Sequence, residues 1–230
     1  MQASAISFSH HNRDETVCKW LSGLFLCFGS AAGIWYNGFM LTEGLILMLY
    51  IIRHGRTDWN DRHKLQGRTD VPLNEEGRRM AEEAREAYRD VHFDICFCSP
   101  LLRAKETAEI LLRGRDVPIL YDNRLMEMSF GSYEGQENSF DLPDCPINVL
   151  FFTPELYTSP PGGAESLDDL FARTGAFLRE RADPLLKEGK DVLIVGHGAM
   201  NSSIVCRVRN LPRSQFWSAG IENCRLMRLI

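Results

Sequence analysis

From Leu45 onward the chain alternates between short apolar, strand-forming runs and longer helical stretches, and this alternation narrows its possible folds most. Residues 45–52 (LILMLYII), 94–98 (DICFC), 118–121, 191–195 (DVLIV) and 223–230 predict strands. Between them, 74–90, Ser99 to about Leu112, 166–187 and 199–209 predict helices. Asn74 is placed to cap the first of these, with acidic residues in the turn that follows. Pro100 is tolerated in the first turn of the second. Strands regularly separated by helices predict an α/β fold, a three-layer α/β/α sandwich with a mostly parallel central sheet and helices on both faces. In such sheets the functional site lies outside the carboxyl ends of the strands.

A chain of 230 residues can bury one such core and at most a small appendage. Its 26 basic and 31 acidic residues give a net charge of −5, with no basic stripe of the kind a nucleic-acid binder carries. None of the seven cysteines forms a C-x-x-C pair, which argues against a disulfide scaffold or structural zinc and for a reducing, cytoplasmic setting. The composition changes near residue 48. Residues 20–42 carry no charge and are long enough to cross a bilayer. Four glycines and Asn37 make this a weak span, and Ala31-Ala32-Gly33 could be a signal-peptide cleavage site. Glu43-Gly44 can also be encoded by a purine-rich ribosome-binding sequence just before Met48. Three readings of residues 1–47 therefore stay open: a start assigned too far upstream, a signal or membrane segment, or a structural extension. Residues 48–230 form the expected catalytic domain. A membrane is a partner only if 1–47 are genuine, anchored then through 20–42.

Four segments carry chemistry. Arg53-His54-Gly55 follows the first strand, where Gly55 permits a tight turn and close backbone approach to a ligand. Guanidinium binds phosphate oxygens bidentately, and a neutral imidazole can attack phosphorus. Nearby arginines lower a histidine's proton affinity and keep its attacking nitrogen bare. Gly196-His197-Gly198 ends another strand, so two histidines can meet in one pocket. Ser99-Pro100-Leu101-Leu102-Arg103 follows a third strand and puts Arg103 in the first turn of a helix, whose amino terminus itself favours an anion. Glu127 precedes a glycine-rich turn, and a carboxyl group there could protonate a leaving oxygen and then deprotonate water.

In this order the four segments resemble the histidine phosphatase superfamily, the phosphoglycerate mutase-like family, over about residues 46–230. The resemblance implies a phosphohistidine intermediate, with His54 as nucleophile and Glu127 as proton donor and acceptor. Arg53, Arg103 and His197 would bind the phosphoryl group. Asn60, in Trp59-Asn60, and Gly67, in Leu65-Gln66-Gly67, match phosphate-side positions, and Gly198 adjoins them. No metal and no cofactor are implied.

Residues 125–172 contain no Lys or Arg, and the loop expected over the site, Gln136–Gly163, is acidic and rich in aromatics. Such a cover would repel the second anionic group that a mutase substrate carries. The reading is a hydrolase of a small-molecule phosphate monoester, with α-ribazole 5′-phosphate or a sugar phosphate as candidate substrates. The alternatives are mutase-type phosphotransfer, a membrane-tethered protein phosphatase and an inactive phospholigand-binding module. Phe140, Phe151, Phe152 and Tyr157 could stack on a flat leaving group or form the loop's own core. The oligomeric state stays open, a dimer included.

Overall fold

The computed structural model describes residues 48–142 and 144–230, apart from the side chain of Phe140, and the backbone of four strands between residues 17 and 41. The chain divides into two compact units, 1–46 and 47–230. In the first, Val17–Leu21 (β1), Leu24–Phe28 (β2), Ile34–Tyr36 (β3) and Phe39–Leu41 (β4) pair antiparallel in that order. The stretch 20–42 is thus extended wherever its backbone is described. Among the described residues no helix is long and apolar enough to cross a membrane. Ala31-Ala32-Gly33 lies outside the described residues.

The second unit runs Leu49–Arg53 (β5), Asp58–Asp61 (α1), Glu75–Ala87 (α2), Ile95–Cys98 (β6), Leu102–Leu111 (α3) and Ile119–Tyr121 (β7). It continues through Val149–Phe152 (α4), Leu167–Phe177 (α5), Asp183–Lys187 (α6), Val192–Gly196 (β8), Gly198–Val208 (α7) and Leu226–Arg228 (β9). The sheet order is β7-β6-β8-β5-β9, parallel except for β9, which pairs antiparallel with β5. Strand alternation sorts the core into two layers. Ile52, Cys96, Cys98, Leu193 and Val195 pack with Ala81, Ala84, Ala104, Ala108 and Leu111 of α2 and α3. On the opposite face Phe97 meets Phe177 of α5 edge-on, with ring centroids 5.2 Å apart. The expected α/β sandwich with a mostly parallel sheet is the fold observed.

Three elements depart most from the sequence reading. The second helix does not begin at Ser99, because the Ser99 N–H continues the sheet by donating to the Val195 carbonyl at 3.0 Å. It begins at Leu102, whose N–H is capped from afar by the Asp70 carboxylate at 2.7 Å. The helix expected over 166–187 is interrupted by a π turn at Leu178–Ala182. Pro184 cannot donate to the carbonyl four residues back, and the turn immediately before it widens. The last strand shrinks to an edge strand of three residues. Asn74 caps α2 as read, accepting from the Gly77 N–H at 2.8 Å.

The loop over 136–163 is a chain of single helical turns around α4. Its aromatics divide. Tyr157 is buried, and Phe151 stacks on Trp217 at 5.5 Å, so both belong to the loop's core. Phe152 is exposed, and the side chain of Phe140 lies outside the described residues.

Candidate active site

Parallel registry gathers the chemistry. Arg53 pairs with Gly196 across β5 and β8, and Cys98 pairs with Val195 across β6 and β8. Arg53-His54, Ser99 and His197 therefore leave adjacent strands at the same carboxyl edge. The Arg53-His54 dipeptide is pinned on three sides. His54 N–H donates to Gly196 O at 3.0 Å, Cys224 N–H donates to Arg53 O at 2.9 Å, and the Asn223 amide donates to His54 O at 2.6 Å. At Gly55 the small residue is also required by packing. A β-carbon there would lie 2.4 Å from the Gly77 carbonyl of α2.

His54 is almost wholly buried. Its Nδ1–H donates to its neighbour Gly55 O at 2.6 Å, which leaves Nε2 as the bare nitrogen. The Arg103 Nε–H points at that Nε2 from 3.3 Å. Burial first, then the charges of Arg103 and Arg53, hold the His54 pKa well below its ordinary 6.5. His197, with its ring centroid 5.1 Å away, is held low by burial, Arg103 and His54 in the same way. Its Nε2 lies 2.7 Å from the Ser99 hydroxyl, while its Nδ1 is buried without a partner. With Ser99 donating to Nε2, Nδ1 carries the proton and is a free donor.

Arg103 is fully buried yet stays charged. Burial lowers its pKa only to about 10, and its two terminal nitrogens donate to Thr69 O at 2.9 Å and Gly67 O at 2.7 Å. Gly67 thus acts through Arg103. Its φ of +53° presents that carbonyl, and a β-carbon would sit 2.2 Å from Glu134 Oε1. Arg53 donates through one terminal nitrogen to Ile221 O at 3.1 Å, and its Nε is buried and unpartnered. Two buried, unpartnered nitrogens, Arg53 Nε and His197 Nδ1, thus accompany the bare His54 Nε2. A buried donor without a partner is unfavourable, and the oxygens of a tetrahedral anion would satisfy Arg53 Nε, and His197 Nδ1 in the tautomer that protonates it.

Glu127 occupies the amino end of α7. Its Oε1 accepts from Met200 N at 3.0 Å and Met128 N at 2.8 Å, and its Oε2 from Ala199 N at 3.2 Å. The helix end thus orients this carboxylate. Gly198 opens that helix, and a β-carbon there would lie 3.6 Å from Glu127 Oε2 and 3.8 Å from Arg53 Cζ. Arg53, His54, Arg103, Glu127, His197 and Gly198 form one connected cluster. Asn60 stands apart in its bonding. Its carboxamide oxygen accepts from the Thr57 N–H and hydroxyl at 3.1 Å each, closing a capping box on α1.

Sequence reasoning gave no role to Ser99, Asn223 or Glu134. The Glu134 carboxylate accepts from the N–H groups of Arg68, Thr69 and Phe130 and from the hydroxyls of Thr69 and Ser129, tying the Arg103-binding loop to the Glu127 loop. In the sequence Glu134 is one acid among many; its position within Gly131-Ser132-Tyr133-Glu134-Gly135 was the available signal. Among the described residues one group could offer metal ligands, His92, Asp94 and Asp191. It lies at the amino ends of β6 and β8, away from this site, and Lys190 already pairs with Asp94.

Residues 49–230 match the histidine phosphatase superfamily, branch 1. The chain belongs to that superfamily. A 2,3-bisphosphoglycerate-dependent phosphoglycerate mutase of Cytophaga hutchinsonii is 36% identical over 153 residues, 66% of this chain and 72% of its own. The solved structure of YhfR from Bacillus stearothermophilus superposes with a TM-score of 0.71 at 32% identity, covering 79% of this chain and 89% of its own. A mycobacterial glucosyl-3-phosphoglycerate phosphatase, in complex with VO3, gives a TM-score of 0.68 at 27% identity, over 80% and 92% of the two chains. Membership supports phosphatase or mutase chemistry on a phosphate substrate. It leaves the acceptor of the phosphoryl group to be argued from this chain.

Proposed function

We propose that the chain is a metal-independent phosphomonoesterase acting through a phosphohistidine at His54. The observation that carries this is the pairing of a bare, buried His54 Nε2 with two unpartnered buried nitrogens, Arg53 Nε and His197 Nδ1. His54 Nε2 attacks phosphorus in line with the leaving oxygen. Arg53, Arg103 and His197 take up the charge on the three equatorial oxygens, the main source of acceleration in phosphoryl transfer. Glu127 gives a proton to the leaving oxygen, then removes one from the water that breaks the N–P bond.

Water as acceptor is favoured by the charges around the site. Residues 125–172 hold no cation. On the loops after His54, Arg56 is paired with Asp61, Arg62 and Lys64 with Glu137, and Arg68 with Glu165. Each of these cations already faces a carboxylate, which the carboxylate of a phosphoglycerate would have to displace. The mutase reading is favoured by the name of the Cytophaga relative. For the leaving group we retain a neutral small molecule, with α-ribazole 5′-phosphate and sugar phosphates as candidates. A cytoplasmic setting fits the five described cysteines, all free thiols.

Phosphate release in EDTA from a panel of monoesters tests the proposal, run beside conversion of 3-phosphoglycerate to 2-phosphoglycerate with 2,3-bisphosphoglycerate present. Release from a neutral ester that is lost in His54→Ala is the expected result. Isomer interconversion without net release would replace the phosphatase by the mutase.

A further inference from the structure

Arg173, on α5, makes no hydrogen bond to the phosphoryl-binding groups, yet three of its five N–H bonds go to the segment that carries Glu127 and the other two to Glu165. One terminal nitrogen donates to Arg124 O at 2.6 Å and Met126 O at 2.8 Å. The other donates to Glu127 O at 3.2 Å and Glu165 Oε2 at 2.9 Å, and Nε donates to Glu165 Oε1 at 2.7 Å. Glu165 grips the far side of the same segment. Its N–H donates to Ser129 O at 2.8 Å, and its Oε2 accepts from Ser129 N at 3.3 Å. The pair is largely shielded from water, with side-chain exposures of 15% and 8%. The Glu127 carboxylate itself is held by α7. The helices α5 and α7 are joined beside Arg173, where the Ser203 hydroxyl donates to Thr174 Oγ1 at 3.0 Å. Glu127 is therefore fixed twice, by its backbone from α5 and by its carboxylate from α7.

We propose that Arg173 and Glu165 are positioning residues that set the reach of the Glu127 carboxyl group to the leaving oxygen. This rests on the reading of Glu127 as the proton donor. A planar guanidinium bound bidentately by one carboxylate can bridge three carbonyls in a way lysine cannot. Loosening it frees Glu127 without breaking any hydrogen bond to Arg53, Arg103, His54 or His197, although the Arg173 charge does help keep the His197 proton affinity low.

The test compares two esters that differ in their need for a proton. Phosphorylation of His54 is measured in a single turnover with glycerol 2-phosphate, whose alkoxide must be protonated, and with 4-nitrophenyl phosphate, whose phenolate leaves unaided. Arg173→Met is expected to slow the alkyl ester about 100-fold, the scale of a misplaced catalytic group, and the nitrophenyl ester about threefold or less. Glu127→Gln should show the same selectivity. Glu165→Gln, close to isosteric, carries the same comparison if Arg173→Met does not fold. Equal losses for both esters, or no loss, in a folded variant would overturn the clamp while leaving Glu127→Gln selective. Absence of any phosphohistidine in the unmodified protein would instead overturn the underlying reading of the site.

Discussion

Two histidines buried in neutral form make stability depend on pH in a calculable way. In the folded state His54 and His197 have proton affinities well below the ordinary 6.5, because burial and Arg103 oppose the charged form. The unfolded chain carries both at their ordinary affinity. It binds more protons than the native state below that value, so stability falls as pH falls through 6.5 and is retained above it. At one pH unit below 6.5 each histidine contributes about 1.4 kcal/mol to the unfolded state, against less than about 0.1 one unit above. From pH 7.5 to 5.5 the pair should therefore remove up to about 2.7 kcal/mol, the limit for two histidines that stay neutral in the folded state throughout this range. Glu76, Glu82, Asp94, Asp122 and Glu137 are shifted downward, away from this window, whereas burial raises Asp183 and Asp191, which would offset part of the histidine effect. Urea denaturation at the two pH values, without phosphate or other oxyanions, measures the difference. A His54→Gln, His197→Gln double variant should lose most of the dependence. An unmodified protein equally stable at both pH values, or a double variant with an undiminished slope, would refute the reasoning.

The same low affinity should keep His54, the proposed nucleophile, active in acid. Single-turnover phosphorylation of His54 by 4-nitrophenyl phosphate should retain over half of its pH 7 rate at pH 6, where a histidine of ordinary affinity would be only about a quarter neutral. Arg103→Lys should lower kcat/KM by about 100- to 1,000-fold, since an ammonium cannot face His54 and both loop carbonyls together. Gly67→Ala should destabilise the fold by about 1–3 kcal/mol through its left-handed backbone and should also reduce activity, because the carbonyl it displaces holds Arg103. Urea midpoints and phosphate release read the two effects separately.

Much of this protein is legible along the chain because it is local. Strands, helices and the Asn74 cap follow from patterns a few residues long, and a strand that ends in Arg-His-Gly or Gly-His-Gly announces its chemistry at that point. That His54, Arg53, Arg103 and His197 cluster was readable for the same reason: a parallel sheet brings strand ends to one edge whatever the intervening loops. What only the tertiary structure decided is how those groups are held. Arg103 reaches His54 across 49 positions and Gly67 across 36, and Arg173 reaches Glu127 across 46. In the sequence Glu134, Glu165 and Arg173 are ordinary charges. Their roles come from backbone carbonyls and N–H groups, which every residue carries and no sequence pattern marks. Their partners are therefore settled only when the chain closes on itself.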